Sequence, residues 1–509
     1  MISKITSCVS VGLDCLPVEV EVDVSSQGLS SFTIVGLGDK AIEEAKERVR
    51  SAIRNSGFFF PSHHITVNLA PADFPKVGSG FDLAIAMGLL LASGQIAFTT
   101  ENSLFIGELS LDGQLRSTPG ILSIISFAKQ RNFQQVYLPL ENCQEASIIQ
   151  YFGIYPVGSL KQLYDHLGKI KEIVPLVPST LKNSQETTFE FDLMEIKGQE
   201  QAKRALEIAA AGGHNLIFKG PPGSGKTMLA RTLPSILPAM TREEEIEVTK
   251  IYSICGLLKN EEPLINQRPF RAPHHTISHI SLVGGGQNPK PGEISLAHRG
   301  VLFLDEASEF SRQALESLRQ PLEDGFVTIS RVKGTLSFPA KFIFVAACNP
   351  CPCGYLGTNG LHHCSCSPGQ ILRYQKKISG PLLDRVDLYL SLQAVEANKL
   401  TQDEFIPENS FKVKKRVELA RDRQRKRFSK TMITCNAEMK NADLRKYCEI
   451  KTEAQNLLKE ALIKFGLSAR SYQKTIKVAK TVADLEGTEV IDARHLTEAL
   501  HYRKRIEEY

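Results

Sequence analysis

The chain has 509 residues, with 61 Lys or Arg against 56 Asp or Glu, a formal charge of +5. Hydrophobic residues make up 42% and charged residues 23%, the composition of a folded chain of two to four domains at roughly 100–200 residues each. These values exclude a disordered, collagen-like or polybasic-tail protein, and no run of ~18 uncharged apolar residues is present to span a membrane. Met1 to Asp14 lacks a charged stretch followed by an apolar one, so no secretory leader is expected. Of 11 cysteines, five lie between Cys348 and Cys366. That crowding suits reduced thiols or a metal site better than a disulfide framework and points to the cytoplasm.

Residues 1–165 alternate apolar runs with turn signals. Val18–Val24, Phe32–Val35 and Ile65–Asn68 read as strands, and Asp39–Asn55 as a helix with Ile42, Ala45, Val49 and Ala52 on one face. The block is an α/β or α+β module. Gly36-Leu37-Gly38-Asp39-Lys40-Ala41 fits the dinucleotide pattern G-x-G-x-x-A, but no acid follows about 20 residues on to hold a ribose, so that reading is rejected. Residues 166–192, with Pro175, Pro178 and a polar run, read as a linker.

Residues 193–395 carry most of the chemistry. The strand Leu216–Lys219 runs into Gly220-Pro221-Pro222-Gly223-Ser224-Gly225-Lys226-Thr227, a G-x-x-x-x-G-K-T phosphate loop. Its glycines let backbone N–H groups turn toward a β-phosphate. Lys226 places a point charge on the β/γ oxygens and Thr227 offers a hydroxyl to Mg²⁺. The following helix aims its positive end at the phosphates.

A second strand, Val301–Leu304, ends in Asp305-Glu306, acids at the C-terminal edge of a buried parallel strand. Asp305 would hold Mg²⁺ through water and Glu306 would polarise the attacking water; an acidic helix cap is the alternative. A third strand, Phe342–Ala347, ends in Cys348-Asn349, where Asn349 either orients that water or makes a turn before Pro350.

Between the second and third strands, Phe326–Phe338 reads as a hairpin turning near Lys333-Gly334. Residues 271–287 hold His274, His275, His279 and three consecutive glycines, a pattern that fits no usual zinc spacing and suits a pore loop or subunit contact. Cys351-x-Cys353 and Cys364-x-Cys366 offer four thiolates for a structural Zn²⁺ bracing an exposed loop. Cys348, His362 and His363 are alternative ligands, and free thiols the alternative to metal. Residues 396–509 read as helical; Lys412–Lys430 holds ten Lys/Arg against Glu418 and Asp422 and is either a nucleic-acid path or a solvated face.

The order of these elements resembles the AAA+ ATPases, in the branch with magnesium-chelatase subunits and MCM-type helicases. Over nearly its whole length the chain resembles the magnesium-chelatase-like competence proteins, the ComM/YifB family. The signatures are Gly198-Gln199-Glu200, the phosphate loop, Arg271-Ala272-Pro273-His274-His275, Gly380-Pro381-Leu382-Leu383-Asp384-Arg385-Val386-Asp387-Leu388 and Leu467-Ser468-Ala469-Arg470-Ser471-Tyr472. The resemblance implies a central AAA+ P-loop ATPase with a parallel sheet and a C-terminal helical lid. It implies that Arg385 is an arginine finger reaching a neighbour's γ-phosphate, and that Arg470 is the sensor-2 residue reading the γ-phosphate in its own subunit. It also implies a hexameric ring, a hairpin in the central pore whose Arg331 and Lys333 touch DNA phosphates, and a helicase driving branch migration of recombination intermediates in natural transformation. The DNA would be single-stranded or branched. A chelatase-like protein-remodelling ATPase without nucleic acid is the competing expectation. Pro75-Lys76-Val77-Gly78-Ser79-Gly80-Phe81-Asp82 with Gly107-Glu108-Leu109 is similar to Lon-type proteases, implying a ribosomal-S5-domain-2-like fold for the first block. Gly80 stands where Lon carries its nucleophilic serine, so a peptidase is disfavoured.

Overall fold

The structure, a computed structural model, describes residues 2–25, 29–151, 153–177, 189–258, 262–286, 289–331, 334–357, 363–393 and 408–503. Its first block is built on a four-stranded sheet. Ile2–Val11, Asp14–Ser25 and His64–Ala70 run antiparallel in that order, and Ser31–Val35 closes the edge parallel to the last. Asp39 caps the helix Lys40–Asn55 by accepting from the Ile42 N–H at 3.1 Å, and Ile42, Ala45, Val49 and Ala52 form its buried face. The helix Asp82–Ala92 is apolar all round because it is buried nearly all round. A smaller parallel sheet of Ser103–Phe105, Gln135–Pro139 and Ile154–Val157 completes the block.

The G-x-G-x-x-A segment has a packing explanation. Gly36 has φ +110°, and a Cβ there would lie 2.3 Å from the Leu69 carbonyl oxygen; one on Gly38 would meet Ile42. The glycines let strand and helix approach closely, with no nucleotide involved. In the expected linker, Ile173 is buried in the first block's core and Leu176 packs on its neighbouring cluster. Residues 178–188 lie outside the described residues.

The central sheet is wholly parallel. Its order is Phe270–Arg271, Val301–Leu304, Ile343–Cys348, Leu216–Lys219, Leu388–Ser391. The three strands expected from sequence, Leu216–Lys219, Val301–Leu304 and Ile343–Cys348, match to within one residue, because each is a continuous apolar run; Phe270–Arg271 and Leu388–Ser391 were not expected. The expected hairpin forms from Phe326–Arg331 and Gly334–Pro339.

The C-terminal helices Ser410–Arg427, Thr452–Lys464, Ala469–Glu486 and Ala493–His501 share one core with this sheet, through Val417, Leu458, Val478, Val482 and Leu496 against Leu216, Phe218 and Leu388. The basic helix is a spine of that core. Val413, Val417, Ala420 and Gln424 face inward. Arg416 pairs with Glu207 at 2.6 Å, Arg421 donates to the Ala210 carbonyl, Arg423 to the Asp484 carbonyl and Arg427 to the Asp484 carboxylate. These four of the ten cations in Lys412–Lys430 are engaged within the chain.

Among the described residues, the first block and the phosphate-loop region are joined in two places. Glu145 accepts from the Leu122 N–H at 3.1 Å and from the Ser253 hydroxyl, and Arg242 donates to the Ile148 carbonyl at 3.0 Å. Leu13, in the turn between the first two strands, packs in the cluster that holds Phe338 and Leu336 of the central hairpin. A Cβ on the adjacent Gly12 would sit 3.7 Å from Leu336.

Candidate nucleotide site

The phosphate loop links the Leu216–Lys219 strand to the helix Lys226–Ile236, and Gly223 and Gly225 take φ +77° and +84°. Only glycine adopts such angles without strain. The Lys226 amine donates to the Gly220 and Pro221 carbonyls at 2.8 Å each, so the loop folds onto its own lysine. Burial lowers the pKa of this amine, with Asp305 opposing the shift. The Thr227 hydroxyl donates to Asp305 Oδ2 at 2.7 Å. A hydroxyl and a carboxylate side by side at the C-terminal edge of a parallel sheet are hard oxygen donors that fit Mg²⁺. Glu306 has φ +49° and donates its N–H to Asp305 Oδ1 at 3.0 Å. His275 Nδ1 lies 3.9 Å from Glu306 Oε2.

Asn349 ends the strand beside the loop, where the Gly220 N–H donates to the Cys348 carbonyl at 3.1 Å. It also lines a cavity of about 310 Å³ with Ser308, Tyr374 and Lys219. Burial pushes the neighbouring Cys348 thiol up to about 12, leaving it a protonated core residue.

The arginines lie together. Arg385 is 15% exposed; its guanidinium pairs with Glu323 and donates to the Pro381 carbonyl at 2.7 Å and the Arg319 carbonyl at 3.1 Å. Arg470 donates to the other oxygen of Glu323 at 2.9 Å. Both line an open cleft of about 820 Å³ with Lys474 and Lys477. The sulfurs of Cys351, Cys353, Cys364 and Cys366 all lie within 4.8 Å of one another. Three of the separations are 3.3, 3.6 and 3.7 Å. A tetrahedral ion with bonds of about 2.3 Å sets its sulfurs roughly 3.8 Å apart, so the donor set fits Zn²⁺. This knuckle touches the phosphate loop: a Cβ on Gly354 would lie 2.7 Å from Pro222.

Three family profiles match in succession: "Subunit ChlI of Mg-chelatase" over residues 20–142, "Magnesium chelatase, subunit ChlI" over 192–400, and "Magnesium chelatase, subunit ChlI C-terminal" over 407–503. The chain is 44% identical to competence protein ComM of Haemophilus influenzae, over 98% of this chain and 96% of that protein. It is 42% identical to protein YifB of Salmonella typhimurium, over 97% and 95%, and to YifB of Escherichia coli over the same shares. The chain belongs to the ComM/YifB family of magnesium-chelatase-like AAA+ proteins.

Within this ComM/YifB architecture one placement differs from expectation. Arg470 sits beside Arg385, and among the described residues no contact joins it to its own phosphate loop. The cause is the anchoring of its helix: Lys474 pairs with Asp387 at 2.8 Å and donates to the Val386 carbonyl at 3.2 Å, which draws the helix start to the Arg385 segment. Of the hairpin residues, Arg331 pairs in register with Gly334, and Lys333 lies outside the described residues, as does His362. Ser79 donates to Glu108, while Lys76 donates to the Pro71 and Phe74 carbonyls, so these two do not form a Ser–Lys dyad. Among the described residues no helix is long and apolar enough to cross a membrane.

Two residues of the site were not singled out from sequence. Asn215 donates its N–H to Asp387 at 3.0 Å and its amide to the Arg385 carbonyl at 3.1 Å, and accepts from the Phe344 N–H at 2.9 Å. It ties the loop strand, the Asn349 strand and the Arg385 segment together. Glu323 holds both arginines; its only sequence cue is an acid just ahead of the glycine that opens the hairpin.

Proposed function

We propose that this protein is a ring-forming, ATP-hydrolysing DNA motor, a helicase acting on single-stranded or branched recombination intermediates. The observation that carries the reading is the separation of the site into two parts. Lys226, Thr227, Asp305, Glu306 and Asn349 gather at one sheet edge, while Arg385 and Arg470 share a carboxylate in a cleft of their own. A pocket completed by a neighbour's arginines requires adjacent copies, which supports a ring and, by family likeness, a hexamer. The arginines would neutralise charge on the transferred phosphoryl group of the adjacent subunit's ATP. Lys226 and the loop amides bind the phosphates, Thr227 and Asp305 hold Mg²⁺, which supplies charge neutralisation, and Glu306 with Asn349 positions the attacking water. The hairpin Phe326–Pro339, whose sequence carries Arg331 and Lys333, supports contact with DNA phosphates, as does similarity to a protein named for competence. Cys351, Cys353, Cys364 and Cys366 hold a structural Zn²⁺, and the first block serves assembly or DNA guidance on a ribosomal-S5-domain-2-like fold.

Mixing tests the shared pocket. Lys226→Ala and Arg385→Ala should each be inactive alone, and their mixture should regain ATPase activity; no recovery on mixing, with Arg385→Ala active alone, would sink the reading. ATPase assays with single-stranded, duplex and branched DNA then separate it from a second reading. Three matches to magnesium-chelatase ChlI profiles favour a protein-remodelling ATPase, for which DNA would leave the rate unchanged.

A further inference from the structure

The two arginines are held by a residue that belongs to neither of their segments. Glu323 lies on the short helix Arg319–Asp324, and Gly325 then opens the hairpin strand Phe326–Arg331. One carboxylate oxygen takes Arg385 and the other takes Arg470. The same helix gives Arg385 a third anchor through the Arg319 carbonyl, and it is pinned to the hairpin by Gln320, which donates to Thr328 at 3.2 Å. One turn of chain thus contacts both arginines and the hairpin.

We infer that Glu323 is a positioning residue that occupies Arg385 and Arg470 in place of a neighbour's γ-phosphate, and that its release frees the hairpin's supporting helix when subunits close on ATP. The inference rests on the reading of Arg385 as acting on an adjacent subunit. Glu323 is 47% exposed and Arg470 45%, so that pair is water-screened and weak; Arg385 is more buried, and water reaches its pair with Glu323 from the carboxylate side. A triphosphate carries more charge and more acceptor oxygens than one carboxylate and would displace it. Glu323 is therefore a competitor strong enough to orient two guanidinium groups and weak enough to yield them. Arg385 keeps its contact to the Pro381 carbonyl on its own segment and so stays in place after the exchange.

The test is steady-state ATP hydrolysis by the full chain, without DNA, over a range of protein concentrations. Glu323→Gln keeps the shape and removes the charge. It should raise DNA-free turnover severalfold and lower the protein concentration at half-maximal rate about tenfold, while Glu323→Asp stays near wild type. A Glu323→Gln curve that coincides with wild type, or falls below it, overturns the inference while Arg385→Ala remains inactive. Wild-type turnover by Arg385→Ala instead overturns the shared-pocket reading beneath it, so the two failures are told apart.

Discussion

The Thr227 hydroxyl and the Asp305 carboxylate meet at 2.7 Å, joining the first turn of the phosphate-loop helix to the end of the neighbouring-but-one strand. Asp305→Ala should leave metal-free nucleotide binding intact and cut Mg²⁺-dependent turnover on the order of 10²–10³-fold, as when other preorganised charge-stabilising groups are removed. Lys226→Ala should instead abolish nucleotide binding itself. Titration with a fluorescent ATP analogue, alongside turnover, distinguishes the two.

Among the hydrogen bonds of Asn215, three named above link three segments. Asn215→Ala leaves the Phe344 N–H and the Arg385 carbonyl without their side-chain partner, at a cost of about 1–3 kcal/mol. Chemical denaturation should show the lower midpoint, and hydrolysis should fall with it.

Cys364→Ser should reduce bound zinc from one ion per chain toward none by elemental analysis and expose residues 351–366 to proteolysis. Because Gly354 abuts Pro222, nucleotide affinity should weaken as well. A metal-free preparation with a protected loop and unchanged affinity would reject the thiolate site.

Acid should destabilise the protein in two steps. His298 accepts from the Lys341 N–H at Nδ1 and so presents Nε2–H to Glu247. Burial holds the His298 pKa below its ordinary value, and the His298 hydrogen bond leads in holding Glu247 down to about 2. Both folded values lie below the unfolded ones, about 6.5 and 4.3, so the unfolded chain binds more protons as pH falls. Stability should be full above about pH 7, decline below about 6.5, and decline again between about 4.3 and 2. Thermal melts across this range should show the lower step shrink in Glu247→Gln.

Lys333→Ala and Arg331→Ala should weaken DNA binding without lowering DNA-free hydrolysis, and each should flatten the salt dependence by about one phosphate contact. Identical affinities and salt slopes for wild type and both variants would count against the pore placement.

The central sheet was readable because buried parallel strands are uninterrupted apolar runs, and their C-terminal ends carry the polar residues that do chemistry. Lys226, Asp305 and Asn349 each follow such a run. The cysteine set was readable from spacing alone. Glu323 was not, since its role depends on two arginines 62 and 147 positions away meeting on one carboxylate. The inward contacts of the basic helix were hidden for a related reason. Counting charge does not tell that Arg421 and Arg427 point at a helix end and a buried aspartate, where cations satisfy carbonyls and carboxylates that water cannot reach.

The contact of Leu13 and Gly12 with the central hairpin bears on how this molecule can be dissected. Cutting away the first block would strip cover from Leu336 and Phe338, and from Ile246 and Leu264 at the other joint. The remainder would carry a sticky apolar surface where the intact chain has none, and would aggregate before it could serve as a minimal engine. Any movement of the hairpin would also press on that turn, so the leading third of the chain backs the hairpin from behind.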